Sequence, residues 1–232
     1  MKILLISDAH SNLHALETVL DKVSFDDILF VGDAVDYGPN PFEVYSRLHE
    51  AGAKMILGNH DAAAAFGIDC RSSEKMHEAS VVTRRRITIP RMPEKGLSEL
   101  GTAARRLRID YEGLTVEAMH ASPRDELYEY ISREQASNLE MGGTDLMVLG
   151  HTHIQYEVRD SKRWIVNPGS VGMPKDGDPR ASYAILDTYK RKVEFGRKDY
   201  DIESMLKELS KLIGSEKRIF ELLSTVFRTG FQ

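Results

Sequence analysis

Cysteine is nearly absent: Cys70 stands alone among 232 residues. One thiol cannot build a disulfide framework, and without a second nearby it cannot share a zinc ion. The expectation for Cys70 is packing or an inert surface position in a reducing compartment. Long hydrophobic runs are missing too, since no stretch approaches the ~20 apolar residues of a membrane helix. The opening run MKILLIS is cut short by Asp8 and His10, too early for a secretory signal. The expected location is therefore the cytoplasm, with no membrane partner. An excess of positive charge is also lacking. A net charge of −5 leaves little surface for counterion release on duplex nucleic acid, which is not an expected substrate. Any phosphate-bearing ligand would then have to be held by local positive charge.

What is present is ordinary globular composition, 41% hydrophobic and 29% charged, which excludes a disordered chain. Repeats, low-complexity segments and linkers are not found, so one domain over residues 1–232 is expected. KILLIS (2–7) and DILFVGD (27–33) read as buried strands. Between them SNLHALETVLDKV has helical spacing behind Ser11 or Asn12 as a cap. GPNPFEVYSRLHEAG places Pro41 at a first helical position, with Asn40 and Glu43 in a capping-box pattern. KMILGNHD (54–61) is a third apolar run. Strand–helix–strand–helix–strand implies an α/β chain with parallel pairs covered on their faces.

Further on, residues 71–86 and 94–106 read as helical. They belong to an insert of about 62–106 that is expected to cover a site. A hairpin is expected around Glu112-Gly113, a helix over 132–141 with a Ser132/Gln135 capping box, then the strand DLMVLG. VRDSKRWIVN and SYAILDTYKRKVEFG are hairpin patterns. Helices from about 202 to 228 complete the order.

The strand ends carry the chemistry. Of eight histidines, His10, His60, His120, His151 and His153 each stand where an apolar run has just stopped. The ends read SDAH, GDAVD, GNHD, MH and GHTH. In an open α/β sheet the carboxyl ends of parallel strands share one edge, where ligands bind. Buried carboxylates and imidazoles without partners are costly, so this cluster calls for cations. The candidate ligands are Asp8, His10, Asp33, Asn59, His120, His151 and His153. That set is too large for one tetrahedral ion and suits two ions bridged by a carboxylate. Gly32, Gly58 and Gly150 let the backbone turn sharply just before ligands.

Taken in order, DxH, GDxxD, GNHD, H and GHTH resemble the calcineurin-like metallophosphoesterase superfamily. GDAVDYGPNP and NPGSVGMP resemble its small single-domain bacterial and archaeal branch. The resemblance implies a four-layer α-β-β-α sandwich of two mixed sheets flanked by helices. It also implies that Asp8, His10, Asp33 and His153 hold one metal. Asp33, Asn59, His120 and His151 would hold the other, with Asp33 bridging. His60 would protonate the leaving oxygen, oriented by Asp36, with Asp61 as runner-up for that role. Two divalent ions would lower the pKa of a bridging water toward ~7, and the hydroxide would attack phosphorus. Oxygen and nitrogen donors without thiolate fit Mn, Fe, Zn, Co or Ni, manganese first among them.

Candidate substrate contacts are Arg124, close after His120, Tyr37 beside Asp36, and Asn167, with Ser170 also expected near the metal edge. Arg84-Arg85-Arg86 reads as a solvated helix face, and His14, His49 and His77 as surface or packing residues. Tyr37 replaces the arginine of the protein-phosphatase branch, and GNHD replaces its GNHE, which argues against phosphoprotein substrates. The implied activity is hydrolysis of a small phosphodiester or nucleotide. A dinucleotide polyphosphate hydrolase is the alternative. A non-catalytic metal-binding scaffold is the alternative of another class, disfavoured because every ligand position is filled. Nothing in the sequence decides between a monomer and a homodimer.

Overall fold

The computed structural model describes residues 1–232. Strand β1 (Lys2–Ile6) is apolar on both faces because both are covered. Leu4 and Ile6 join one core and Ile3 and Leu5 another, as the two-residue strand period requires. Helix α1 (Leu13–Lys22) starts on Asn12, whose Oδ1 accepts the Ala15 N–H at 3.2 Å. It is followed by β2 (Asp27–Phe30), α2 (Pro41–Glu50) and the short β3 (Lys54–Met55). Pro41 does open α2, but the Asn40–Glu43 capping box does not form. Asn40 instead donates its amide to Glu208 at 3.0 Å. A tertiary partner displaces the local one.

Helix α3 (Asn59–Phe66) begins where the third apolar run was expected to finish, so Asn59, His60 and Asp61 occupy its first turn. The insert continues as α4 (Glu74–Thr83), a π-wound turn at Arg84–Thr88, α5 (Ile89–Arg91) and α6 (Glu94–Gly101). The winding widens just before Pro90, which cannot donate and crowds the carbonyl four residues back. Ile89 N–H reaches to Arg84 O instead. Helix α6 stops short of the expected 106 because Ala104 bridges to Ile56 and Arg106 opens the next strand.

Strands β4 (Arg106–Tyr111) and β5 (Leu114–Met119) form the expected hairpin. Its turn residues Glu112 and Gly113 have φ of 56° and 80°, the signs of a type I′ turn. Helix α7 (Arg133–Ala136) has the Ser132/Gln135 capping box but ends early, ahead of left-handed Gly142 and Gly143. Next come β6 (Leu146–Val148), β7 (Gln155–Arg159), β8 (Trp164–Pro168), β9 (Ala181–Asp187) and β10 (Lys192–Lys198). The helical tail is two helices, α8 (Ile202–Ile213) and α9 (Lys217–Thr229), parted at Gly214.

Two five-stranded mixed sheets result, ordered β10-β9-β1-β2-β3 and β4-β5-β6-β8-β7. They face each other through Ile3, Leu5, Leu29 and Val31 on one side and Val116, Leu146, Val148 and Val166 on the other. Each such side chain contributes about 1.5–3 kcal/mol when fully buried. Helices α1 and α2 cover the first sheet, while α4, α8 and α9 form a helical core of their own. The outer face of the second sheet is covered by α7 and its flanking loop. Strands β1, β2 and β3 run parallel, as do β5, β6 and β8. Their carboxyl ends therefore present the loops that carry the histidines. No helix is long and apolar enough to cross a membrane.

Candidate metal centre

The loops after β1, β2 and β6 depart from ordinary backbone geometry. Asp8, His10, Asp33, Asp36, His151 and His153 all have φ between 46° and 70°. L-residues adopt this left-handed region at a cost of order 1 kcal/mol each, and such residues cluster at functional sites. Glycine would relieve the cost, so these positions are kept for their side chains. Gly58 shows how tightly the loops are nested, because a Cβ there would lie 2.1 Å from Asp33 Oδ1.

The side chains converge as two triads, Asp8/His10/His153 and Asp33/His120/His151, all buried. In the first, His153 Nε2 lies 3.2 Å from Asp8 Oδ1 and 3.1 Å from His10 Nε2. In the second, His120 Nε2 is 3.2 Å from Asp33 Oδ2. Asn59 Oδ1 joins it, 2.9 Å from His120 Nε2 and 3.1 Å from His151 Nδ1. Asp33 Oδ2 also lies 3.9 Å from His10 Nε2, which places it between the triads.

Each group has one anchored atom and one free atom. His10, His120 and His153 hold Nδ1 against the carbonyls of Val35, Val31 and Met173 at 3.0, 2.8 and 2.6 Å. His151 uses Nε2, 3.3 Å from Tyr128 O. A ring nitrogen that donates to a carbonyl fixes the tautomer and leaves the other nitrogen as a lone pair for a cation. The carboxylates repeat the pattern. Asp8 Oδ2 accepts from His151 N–H at 3.1 Å and Asp33 Oδ1 from His60 N–H at 2.8 Å. Asp8 Oδ1 and Asp33 Oδ2 are buried without any hydrogen-bond donor. Orphaned carboxylate oxygens facing imidazole lone pairs are a donor set for cations, not for more hydrogen bonds.

His60 sits beside this cluster. Its Nδ1 is 2.9 Å from Asp36 Oδ2, and its ring meets that of His10 edge-on with centroids 5.0 Å apart. Burial would lower its pKa, but the Asp33 charge and the Asp36 hydrogen bond outweigh that and bring it up to about 10. Asp36 itself is clamped from the insert. It accepts from Thr88 Oγ1 at 2.9 Å and pairs with Arg84, whose side chain is only 12% exposed. Arg85 and Arg86 remain exposed.

Arg84 is thus no solvated residue, as its basic run suggested. The π-wound turn aims it inward, and a linear charge pattern holds no signal for that. Cys70 is buried, with its carbonyl accepting from Asn59 Nδ2 at 2.6 Å.

Other expected residues are placed differently. Asp61 does not reach the His60 ring; its carboxylate accepts from the backbone N–H groups of Asp33, Ala34 and Gly58 at 2.8–3.0 Å and pins the ligand loop. Tyr37 is fully buried and packs its ring against His10 at 4.9 Å, so it cannot stack on a substrate. Asn167 ties the GHTH turn together, donating to Gly150 O at 2.6 Å and Thr152 Oγ1 at 3.1 Å. Ser170 donates to Asp8 O at 2.7 Å. Arg124 is 59% exposed and engages Glu129 at 2.6 Å, away from the triads' contacts.

Residues 1–191 match the Calcineurin-like phosphoesterase superfamily domain. The chain belongs to that superfamily. It is accordingly a metal-dependent hydrolase of phosphoric esters. A metallophosphoesterase from Sphaerobacter thermophilus superposes with a TM-score of 0.80 at 34% identity, covering 99% of both chains. An uncharacterised protein of Methanocaldococcus jannaschii is 28% identical over 90% of this chain and 92% of its own. Phosphodiesterase YfcE of Escherichia coli is 26% identical over 81% of this chain and 88% of its own.

The nesting at Gly58 makes a prediction. Gly58→Ala is expected to displace the Asp33 carboxylate and weaken metal binding by roughly 10–100-fold, the scale of an outer-shell change, with the fold retained. Competitive chelator titration alongside circular dichroism measures it; unchanged affinity would mean that the loop yields without moving Asp33.

Proposed function

We propose that the protein is a dinuclear-metal phosphodiesterase acting on a small phosphodiester. The observation that carries this reading is the pair of buried triads with the unpartnered Asp33 oxygen between them. Asp8, His10, Asp33 and His153 would hold one ion, and Asp33, Asn59, His120 and His151 the other. Two divalent cations there would supply charge for the phosphoryl oxygens and a water of lowered pKa.

The chain's own residues do the rest. His60 Nδ1–H donates to Asp36, and Nε2, which lies 3.5 Å from the buried Tyr37 hydroxyl, would carry the proton for the departing oxygen. Asp36 holds that ring in register, and Arg84 with Thr88 holds Asp36. Burial of the whole set keeps these electrostatic effects strong. The phosphodiesterase activity in the name of the E. coli relative supports a diester over a monoester.

A grid of metals and substrates tests the reading. Chelated protein is reloaded with Mn, Fe, Co, Ni or Zn and offered an aryl phosphate monoester, its diester and a dinucleotide tetraphosphate. The diester is expected to lead the monoester by more than tenfold. A leading tetraphosphate would make the protein a dinucleotide polyphosphate hydrolase. Metal uptake with no turnover of any substrate would leave a metal-binding scaffold.

A further inference from the structure

A cavity of about 520 Å³ opens beside the triads, and the phosphate chemistry does not itself need it. Its lining includes Thr152, the residue between His151 and His153, and Tyr130, whose ring lies against His151 with centroids 4.0 Å apart. Ile154, Tyr156 and Phe231 add apolar and aromatic surface. Tyr130 is 44% exposed and Phe231 63% exposed, so both rings are available to a ligand. The lining holds two cationic side chains, Lys175 and Arg133, and no acidic side chain, although the chain carries a net charge of −5. Lys175, in the loop after β8, lies against the His153 turn, its N–H donating to His153 O at 3.3 Å. Burial lowers the pKa of its ammonium to about 8, and the charges of Asp8 and Asp33 act against that fall. Its loop is pinned by Gly177 N–H on Gly230 O at 2.9 Å.

We propose that this cavity receives the base of a nucleotide phosphodiester, with the base lying on the Tyr130 ring and Lys175 holding the phosphate. The inference rests on the diesterase reading and names its substrate class. A volume of several hundred Å³ suits a nucleoside, whereas phosphate alone occupies far less. Exposed aromatic rings beside a cation are the chemistry that recognises flat bases attached to anions, and they do so with little sequence preference. Either purine or pyrimidine is therefore accepted.

Equilibrium binding to the metal-loaded protein tests this with a readout separate from turnover. The probes are adenosine and uridine monophosphates, ribose 5-phosphate and inorganic phosphate. Both nucleotides are expected to bind tenfold or more tighter than ribose 5-phosphate. Tyr130→Ala should erase that preference and Tyr130→Phe should keep it. Phe231→Ala, which removes the other exposed ring of the lining, should reduce it. Lys175→Met should weaken every probe, inorganic phosphate included, by roughly tenfold. Equal binding of nucleotide and ribose 5-phosphate by the unaltered protein would overturn the proposal, as would a base preference that survives both aromatic replacements. Turnover of an aryl diester separates the two readings. If it proceeds while base preference is absent, the cavity proposal alone fails; if base preference is present and no diester is cleaved, the diesterase reading alone fails.

Discussion

Asp33→Asn is expected to lower hydrolysis by on the order of 10³-fold or more and to reduce bound metal below two ions per chain. The loss should exceed the 10–100-fold that follows from disturbing residues behind the ligands. Asp33 Oδ1 is anchored by the His60 N–H, and Oδ2 lies 3.2 Å from His120 Nε2 and 3.9 Å from His10 Nε2. The free oxygen is thus the one shared by both triads. An amide removes the negative charge between the ions, and its NH2 end cannot ligate. The substitution also leaves the backbone undisturbed. Asp33 has φ of 63°, and asparagine enters the left-handed region about as readily as aspartate. Elemental analysis and initial rates on the same sample measure both effects. Two ions at full occupancy in the variant would remove Asp33 from the bridge.

His60→Ala is expected to keep both ions and lower hydrolysis by ~10²–10⁴-fold, the range of a general-acid contribution. The fall should be steep for diesters with alkoxide leaving groups and shallow for nitrophenolates, which depart without a proton. pH gives an independent check. An acid must be protonated to act, so activity falls as pH rises through its pKa. The Asp33 charge and the Asp36 bond bring His60 up to about 10. When cations share the Asp33 charge that support weakens, so the alkaline limb of the loaded enzyme lies below that value. His60→Ala should abolish the limb. Persistence of the limb, or an equal loss on every leaving group, would assign the effect to positioning.

Much of the site was legible in the chain because strand ends are local features. An apolar run that stops at SDAH, GDAVD or GHTH reports both a buried strand and what stands at its edge. Parallel topology then requires those edges to meet. The resemblance to the superfamily rested on the same residues, and the family match and fold agree with it. Less local features carry no such signal along the chain. Arg84 looked solvated within a basic run, yet a π-wound turn brings it to Asp36. Tyr37 and Asn167 looked like substrate contacts, yet one is packed against His10 and the other braces the GHTH turn.

The sequence by itself determined the order and type of most elements, though not all their ends, and the candidate residues for binding cations. Periodicity and chemical type are written along the chain and need no partner to be read. Only the tertiary structure decided which atom of each residue is anchored and which is free. It also decided that the insert clamps Asp36 and that an aromatic, cationic cavity borders the triads. Those facts depend on contacts such as Asp8 with His151 and Asp36 with Thr88, formed between segments far apart in the chain. Backbone path and side-chain packing choose such partners together, and no local pattern encodes the choice.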